Sequence, residues 1–548
     1  MPSDQHTAQE HVSVLIVGGG LVGLSTSLFL AHYGIRSRLV ERHSATSLHP
    51  KQFSLSIRAM ELLRSVGLEN AVRNAAAPLA ENKDFLIVST FAQGEMARYP
   101  LGGLREEEIQ RLSPTTRGIC PQDVLEPLLL EAAQKLGSEL HFGCELRSFE
   151  QTPDGILATI REVATGKQKT IHADYLVVAD GARSRLRQQL GIKMQSRWSS
   201  EQNISIYFHA DLSNLMPEKP FFTCLVTHPE ASGILLPANN RDRWIFMLTL
   251  PTGSVELEEH FTSQRCLALL RQAIGVPQLE IEVKSVLPWE AAARVAEHFS
   301  LGRAFLVGDA AHLMPPTGGF GASTGIQDAQ NLAWKLALVL SKQAGPTLLA
   351  TYESERRPIA LFTTEQARLR WQAKAQRHAG DAAQREKLGL ADEAVVMLGY
   401  QYTSPAVISP RQALPSHSEA SQNLDGHPGT RAPHLWVEHQ GRRISTLDLY
   451  GKGFVLLAGA QAADWRDASR HVSNRLGLDL TVYTVGLDIA DIDGSWYIAH
   501  GITPQGAMLI RPDGFVAWRS ASADESADRT LERVLSHLLC WVSSSEMN

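Results

Sequence analysis

The chain has 548 residues, which is enough for three or four domains at about 150 residues each. Apolar residues make up 44% and charged residues 20%, so the chain can bury a sizeable core and is not disordered as a whole. Its 52 basic and 58 acidic side chains give a formal net charge of −6, which argues against a dedicated binder of nucleic acid or of an anionic membrane.

The first element is a β-α-β unit. Residues 12–17 are apolar and rich in β-branched side chains, which predicts a strand buried on both faces. Residues 24–33 predict a helix, and residues 36–40 predict a second strand that ends at Glu41. The uncharged run 12–31 resembles a membrane span in hydropathy, but no Lys or Arg precedes it and four glycines interrupt it. We therefore expect no membrane contact.

A G-x-G-x-x-G motif spans residues 18–23, between the first strand and the helix. Glycines here allow a tight turn and let the backbone approach a pyrophosphate at the helix N-terminus. Glu41 lies eighteen residues beyond the last glycine, where a carboxylate would accept ribose hydroxyl protons. The motif predicts dinucleotide binding without separating NAD from FAD. The alternative is a tight turn with no ligand.

Two further strands each end at an aspartate. Residues 175–179 precede Asp180 in the run DGARSRLR, and residues 304–307 precede Gly308-Asp309. An aspartate at a strand end can bind a chain of hydroxyls. The glycine-rich run 315–321 and the helix predicted after it can present backbone N–H groups to a flat ligand.

The rest of the chain divides by composition. Residues 200–290 look rich in strands, and residues 326–340 and 349–376 predict long helices. Residues 403–433 hold many Ser, Pro, Gly, Asn and His and predict a linker. A second α/β pattern follows and closes with a helix over 530–542. That order suggests a small independent domain.

The three motifs, in this order and spacing, resemble the single-component FAD-dependent aromatic hydroxylases, also called group A flavoprotein monooxygenases. Residues 308–336 are similar to that family's FAD-ribityl motif, and residues 351–358 match its following helix. Residues 119–128 resemble the family segment whose Gln contacts the cofactor. This part of the resemblance covers residues 12–400.

The resemblance continues into the C-terminal part of the chain. Residues 431–434 (RAPH), 447–451 (LDLYG) and 511–514 (RPDG) look like the extension of the subgroup that acts on phenols and polyketides. In that subgroup the extension is thioredoxin-like without redox cysteines, and here it holds only Cys540. The resemblance therefore implies a structural or dimerisation role rather than electron transfer.

The implied fold is α/β, with a Rossmann-like FAD-binding domain interleaved with a mixed β-sheet substrate domain and followed by a thioredoxin-like domain. The implied boundaries are 1–190 and 290–400 for the FAD-binding domain, 191–289 for the substrate domain, 401–424 for a linker and 425–548 for the last domain. The five cysteines are sparse and form no C-x-x-C pair, so no metal site is expected and a reducing cytoplasm is the predicted compartment.

The resemblance also implies a set of cofactor-binding residues. They are Gly18, Gly20, Leu21, Val22, Gly23, Glu41, Arg42, Lys51, Gln122, Leu146, Asp180, Asp309, Pro316, Gly319, Phe320, Gly321 and Ala322. Two positions depart from the family pattern. Lys51 stands where the family usually has Arg, so the charge is kept but the bidentate fork is lost. Ser323 stands where the family often has Asn beside the flavin ring.

The implied reaction uses NADPH or NADH as a transient co-substrate that reduces FAD. O₂ then forms a flavin C4a-hydroperoxide, which transfers one oxygen atom to a small aromatic substrate. Arg183, Arg185 and Arg187 could dock the nicotinamide cofactor or form a solvated face. No protein nucleophile is needed. His312 is a candidate acid–base residue, although a structural histidine in the turn is the favoured interpretation.

The candidate substrate-lining residues lie in the strand-rich segment and could equally be core. They are Tyr207, Phe222, Pro237 and Met247. The same flavin chemistry would serve epoxidation or Baeyer–Villiger oxidation, and a non-catalytic flavoprotein that sequesters an aromatic ligand is a further alternative. No two tryptophans are two residues apart, which argues against a halogenase. A homodimer agrees with the resemblance, but the sequence does not decide the oligomeric state.

Overall fold

The computed structural model describes residues 10–101, 104–250, 261–375, 382–408, 424–522 and 526–541. In chain order, the described strands are β1 (Glu10–Val17), β2 (Ser37–Glu41), β3 (Ser54–Leu55), β4 (Asp84–Val88), β5 (Glu95–Pro100), β6 (Gly118–Ile119), β7 (Glu139–Phe142), β8 (Cys144–Thr152), β9 (Gly155–Glu162), β10 (Gln168–Val178), β11 (Met194–His209), β12 (Thr223–Val226), β13 (Gly233–Pro237), β14 (Arg243–Thr249), β15 (Glu282–Ala296), β16 (Ser300–Leu301), β17 (Ala304–Leu306), β18 (His312–Leu313), β19 (Trp436–His439), β20 (Arg442–Ser445), β21 (Phe454–Ala458), β22 (Leu480–Thr484), β23 (Ala490–Asp491), β24 (Ala507–Ile510) and β25 (Val516–Ser520).

The described α-helices are α1 (Leu21–His32), α2 (Ile57–Ser65), α3 (Glu69–Ala75), α4 (Glu106–Leu112), α5 (Gln122–Lys135), α6 (Arg185–Gln189), α7 (Ser263–Ile274), α8 (Gly321–Leu340), α9 (Ala350–Ala375), α10 (Ala382–Lys387), α11 (Glu393–Met397), α12 (Ala463–Leu476), α13 (Trp496–His500) and α14 (Ala527–Leu538). None of the helices in these ranges is long and apolar enough to cross a membrane.

The first sheet has the strand order β16-β17-β10-β1-β2-β7, with β9 and β8 attached beyond β10. Strands β1, β2, β7, β10 and β17 run parallel. The apolar run of β1 is buried because α1, α5 and α8 cover the sheet. Helix α1 begins three residues earlier than the periodicity predicts, because Gly20 precedes it without a side-chain cap that would mark the start.

The second sheet has the order β18-β15-β11-β14-β13-β12-β4-β5. It draws strands from both sides of residues 191–289, because β4 and β5 come from residues 84–100 and β18 follows β17. Along β11, Ile206 and Phe208 point into the apolar core that α7 covers, while Tyr207 points to the opposite face. This alternation leaves one face of the sheet for contact with the first part of the chain.

The C-terminal part holds two small sheets, with orders β20-β19-β23 and β22-β21-β24-β25. Helices α12 and α14 cover one face of the four-stranded sheet. Trp334 of α8 and Leu348 pack into that same core beside Leu456 and Trp465. The apolar core of this part is therefore shared with the rest of the chain.

Within the predicted linker 401–424, residues 409–423 lie outside the described ranges. Gln401 and Tyr402 are buried, and the backbone N–H of Tyr402 donates to Gly429 O at 2.8 Å. The start of the segment is packed because the Tyr402 hydroxyl accepts a hydrogen bond from buried Arg356 at 3.0 Å.

A buried ionic network crosses the boundary between the C-terminal part and the first sheet's helices. Arg511 donates to both carboxylate oxygens of Glu355, at 2.6 and 2.9 Å. Lys335 and Asn331 of α8 donate to the same carboxylate at 2.8 Å each. Burial alone would raise the pKa of Glu355, but the positive charges of Arg511 and Lys335 lower it. The network therefore depends on Arg511 to compensate a carboxylate with no solvent exposure of its side chain.

We expect Arg511→Met to destabilise the protein by about 3–5 kcal/mol, because it removes the bidentate partner of a buried carboxylate. The measurement is the thermal unfolding midpoint. Arg470→Met is the matched control, since Arg470 forms an exposed pair with Asp467 on the surface of α12. An equal change in the two variants would contradict the role assigned to Arg511.

Candidate functional site

The carboxyl ends of three parallel strands bring together the three motifs predicted from the sequence. Strand β10 lies between β1 and β17 in parallel register, so Gly18, Asp180 and Gly308 follow neighbouring strand ends. A Cβ on Gly18 would lie 3.1 Å from Asp180 N, and one on Gly308 would lie 2.7 Å from a methyl of Val22. The motifs thus form one continuous cleft edge, where ligands bind in open α/β sheets.

The three motif glycines meet different surroundings. Gly18 has φ +111°, and a Cβ there would lie 2.2 Å from Ala179 O. A Cβ on Gly23 would lie 1.9 Å from Gly18 O, so this glycine permits close packing of helix on turn. The nearest atom to a Cβ on Gly20 is Glu126 Oε1 at 3.7 Å. Free space beside Gly20, at the start of α1, is the shape that a pyrophosphate requires.

Glu41 ends β2 next to this turn, as predicted. Its carboxylate accepts hydrogen bonds from Gly19 N at 2.7 Å and from His43 N at 2.8 Å. His43 Nδ1 also lies 2.5 Å from Oε1, and since a carboxylate has about four acceptor positions, Glu41 keeps capacity for one ribose hydroxyl. The next residue, Arg42, is exposed. Leu146, in contrast, packs partly buried against the core of the first sheet.

Two aspartates line the cleft. Asp180 Oδ2 accepts the backbone N–H of Leu186 at 3.2 Å, while its buried Oδ1 has no partner among the described residues. The Asp309 side chain is exposed at the turn that follows β17. Desolvation by the protein around its carboxylate raises the pKa of Asp309, and the charges of His312 and Lys51 oppose that rise. Both carboxylates suit a polyhydroxyl ligand.

The start of α8 forms another wall. Helix α8 begins at Gly321, and its N-cap residue Phe320 makes no side-chain cap hydrogen bond. The backbone N–H groups of the first turn, including that of Ala322, can therefore serve a ligand. Pro316 is exposed and Gly319 is half-buried with φ +66°.

The contacts of Ser323 account for one of the two departures from the family pattern. Its side chain is buried, and its hydroxyl oxygen accepts the backbone N–H of Ser56 at 2.9 Å. This serine therefore ties α8 to the segment after β3, so its hydroxyl is engaged within the protein.

A buried carboxylate that sequence reasoning missed lies beside Gln122. Glu126 is buried on α5, one turn after Gln122, whose amide donates to Glu126 Oε1 at 2.6 Å. The backbone N–H of Ser47 donates to Oε2 at 2.8 Å. Burial raises the pKa of Glu126, and the charge of Lys51 is among the effects that oppose it. The i, i+4 spacing of Gln122 and Glu126 was the available signal.

His312 is enclosed in the turn rather than directed at the cleft. Its side chain is buried, and Nε2 lies 2.6 Å from Asp328 Oδ2. Asp328 also accepts from Gly308 N at 3.1 Å and from Arg356 at 2.8 Å. Burial opposes the charged form of Asp328, but His312 and Arg356 lower its pKa. This geometry supports the structural interpretation of His312.

Three of the four substrate candidates share one face of the second sheet. Tyr207, Phe222 and Met247 form an apolar cluster with Phe53, which belongs to the segment that carries Lys51. Pro237 pairs with Trp244, which faces the core under α7, so Pro237 lies on the other face. The segment of Lys51 and Phe53 therefore links the apolar cluster to the predicted cofactor-binding residues.

Polar groups that no local sequence pattern indicates surround this cluster. Arg243 donates to the Tyr207 hydroxyl at 2.9 Å and forms an ion pair with Asp123 of α5. His209 Nε2 lies 3.0 Å from the same hydroxyl. His49 lies between Ser285 at 2.7 Å and Ser205 at 2.9 Å, and burial lowers its pKa to about 4. The imidazole of His49 is therefore neutral near pH 7.

A separate cavity of about 550 Å³ lies beside the Asp180 loop. The residues that line it are Ala182, Arg187, Gln188, Gly191, Ile192, Lys193, Met194, Ser196, Arg294 and Leu313. Arg187 is buried and its Nε has no partner in the described ranges. Burial lowers the pKa of Arg187, and nearby Arg294 lowers it further, against the effect of Asp180. The lining carries three cations and no carboxylate.

The residues of the cleft fit FAD. The space at Gly20 and the uncapped N-terminus of α1 match a pyrophosphate, and the unpartnered oxygen of Asp180 matches a hydroxyl donor. Lys51 adds a positive charge close to Asp309 and Glu126. A flat ring system can lie against the start of α8.

Comparison with known proteins gives the same assignment. A family model described as an FAD binding domain matches residues 11–367, and one described as the C-terminal part of aromatic-ring hydroxylases matches residues 425–540. The 4-methyl-5-nitrocatechol 5-monooxygenase of Burkholderia sp is 40% identical over 543 residues, covering 96% of this chain and 98% of that protein. The tetracenomycin A2 monooxygenase-dioxygenase of Streptomyces glaucescens is 39% identical over 560 residues, covering 98% of each.

A solved structure is similar over almost the whole length. The ternary complex of aklavinone-11 hydroxylase with FAD and aklavinone superposes with a TM-score of 0.85 at 34% identity, covering 97% of this chain and 100% of that one. Fold and cleft thus define a flavin-dependent oxidoreductase. The chain belongs to the FAD-dependent aromatic-ring hydroxylases, as the sequence resemblance predicted. It is a monooxygenase with FAD as its cofactor, and enzymes of this class use NADPH or NADH and O₂.

We expect Gly20→Ala to leave the apoprotein's thermal midpoint unchanged while weakening FAD binding about tenfold or more. The added methyl group has room in the protein but would occupy the space at the pyrophosphate turn. Gly23→Ala is the contrast, because its Cβ overlaps Gly18 O and should destabilise the apoprotein itself. Titration of each apoprotein with FAD and a thermal melt give the result. Normal FAD affinity in Gly20→Ala would refute this placement.

Proposed function

We propose that the protein hydroxylates a phenolic aromatic substrate, held between the cofactor cleft and the Tyr207 face of the second sheet. The supporting observation is the cluster around Tyr207, which touches the segment carrying Lys51 and is linked to α5 through Arg243 and Asp123. The relatives above are named for nitrocatechol and tetracenomycin, both aromatic substrates. We favour a polycyclic substrate.

In this proposal Gly18 to Val22 and Lys51 hold the pyrophosphate of FAD, and Glu41 binds the ribose. Asp309 would bind the ribityl chain, Gln122 would contact the cofactor, and the backbone N–H groups at the start of α8 would stabilise negative charge on the flavin ring. Bound FAD supplies the electron transfer and the activation of O₂. The protein's own part is to orient the two reactants and to exclude water.

At the substrate end, Tyr207 is the group we assign to the phenol. Its ring packs in the apolar cluster while its hydroxyl accepts from Arg243, so the oxygen is held in one place. The Arg243 guanidinium stabilises negative charge on a phenolic oxygen beside it. His49 is uncharged near neutral pH, so it adds polarity without a competing positive charge.

The cavity lined by Arg187, Lys193 and Arg294 is the site we assign to the phosphates of NADPH or NADH. Its three cations without a lining carboxylate favour an anionic ligand, and its volume suits part of a dinucleotide. It adjoins the loop after Asp180 and strand β18, which follows Asp309.

For the C-terminal part we propose a thioredoxin-like domain with a structural role. Strands β21 and β22 are parallel around α12, and β24 and β25 follow as an antiparallel pair before α14. Apart from the short β23 and α13, which lie between β22 and β24, the order is β-α-β-β-β-α, and it supports the assignment. We propose the boundaries that the sequence predicts, and Trp334 and Leu348 of the preceding part complete the core of this domain.

The direct test is turnover. Purified protein should be yellow, and a polycyclic phenol should stimulate its NADPH or NADH oxidation with matching O₂ uptake and a product heavier by one oxygen atom. Asp309→Ala should carry less FAD per chain. FAD binding without stimulation by any phenol or polycyclic aromatic would favour the ligand-sequestering alternative. Turnover of nitrocatechols alone would correct the proposed substrate class.

For the nicotinamide site, we expect Arg294→Gln to raise KM for NADPH or NADH roughly tenfold while kcat changes less than twofold, since one charged contact is removed. Lys284→Gln is the matched control. Both cations lie on β15, pair with a carboxylate on that strand and are about 30% exposed, but Lys284 lies outside the cavity lining. Equal KM values in both variants would contradict the assignment of this cavity to the phosphates of NADPH or NADH.

A further inference from the structure

Glu126 lies where three elements of the cofactor cleft meet. Its Oε1 accepts from the Gln122 amide on α5, and its Oε2 accepts from the Ser47 backbone in the segment between β2 and β3. The start of α1 is the third element, because Oε1 lies 3.7 Å from the position of a Cβ on Gly20. Both hydrogen-bond donors are N–H groups, so the carboxylate can accept from them together.

We propose that Glu126 is a positioning residue for FAD, which sets the relative placement of Gln122, the Ser47 segment and the start of α1. The proposal rests on the proposed function, because it assumes that FAD occupies this cleft. Glu126 itself does not need to touch the cofactor. Each of its two oxygens accepts a hydrogen bond from a different element. Removal of either oxygen therefore leaves one element without its bond to Glu126.

A negative charge on Glu126 would also repel the pyrophosphate of the cofactor. Its Oε1 lies 3.7 Å from the position of a Cβ on Gly20, beneath the proposed pyrophosphate. An anion there repels phosphate unless a cation compensates, and Lys51 is the charge that faces both Glu126 and Asp309. Retaining a buried carboxylate at this point costs cofactor affinity, and positioning is the benefit that offsets the cost.

The experiment compares Glu126→Ala and Glu126→Gln with the wild type. The control is Glu131→Gln, which alters an exposed glutamate of the same helix that pairs with Lys135. The readouts are FAD affinity by fluorescence titration of the apoprotein, the apoprotein's thermal midpoint, and KM and kcat at saturating FAD. We expect FAD binding about tenfold or more weaker in Glu126→Ala and an intermediate loss in Glu126→Gln, which keeps one acceptor oxygen. The control should bind FAD as the wild type does.

A purely structural role predicts a lower thermal midpoint with unchanged FAD affinity, and that result would overturn the proposal. Tighter FAD binding in Glu126→Gln would also overturn it, since repulsion would then outweigh positioning. If Glu126→Ala does not fold, Glu126→Gln decides, and wild-type affinity in that variant refutes the inference. Failure of the wild type to bind FAD would instead refute the proposed function.

Discussion

Two buried carboxylates on neighbouring helices connect the cofactor cleft and the C-terminal part to the same pair of helices. Asp328 on α8 binds Gly308 N, His312 and Arg356, so it fixes the turn from which Asp309 enters the cleft. Glu355, next to Arg356 on α9, binds Arg511 of the C-terminal part. Each carboxylate has lost its water and depends wholly on these donors. The position of the cleft and the attachment of the C-terminal part therefore both depend on the same helix pair.

This arrangement supports the structural role that we propose for the C-terminal part. The run Arg511-Pro512-Asp513-Gly514, noted in the sequence only for its family resemblance, inserts its arginine between the helices of the first part. Asp513 accepts from Arg511 at 3.0 Å, and its backbone oxygen accepts from Arg58 of α2. Burial of Lys335 lowers its pKa to about 8, while Glu355 raises it. The C-terminal part thus completes a buried network with helices of the flavin-binding part.

The sequence predicted the features that local rules govern. The glycine turn, the strands before Asp180 and Asp309, and the helix after Gly321 each follow from residues adjacent in the chain. The substrate face was harder, because alternation along β11 and β13 decides it, and that alternation separates Pro237 from Tyr207. Side-chain pairs between distant segments gave no local pattern. Glu126 and Ser47 are 79 residues apart, and Asp123 and Arg243 are 120 apart.

The two departures from the family pattern follow from this packing. The Ser323 hydroxyl is bonded to Ser56 N, so in the proposed site the flavin edge would depend on the backbone N–H groups at the uncapped start of α8 and on the positive end of its dipole. Lys51 faces Asp309 and Glu126, and a compact ammonium can approach both carboxylates without the fixed geometry that a guanidinium imposes. In the proposed site, the charge of Lys51 near these two acids would take the place of a bidentate arginine contact. The affinity of the site for a dianionic pyrophosphate should depend on how fully that single charge offsets them.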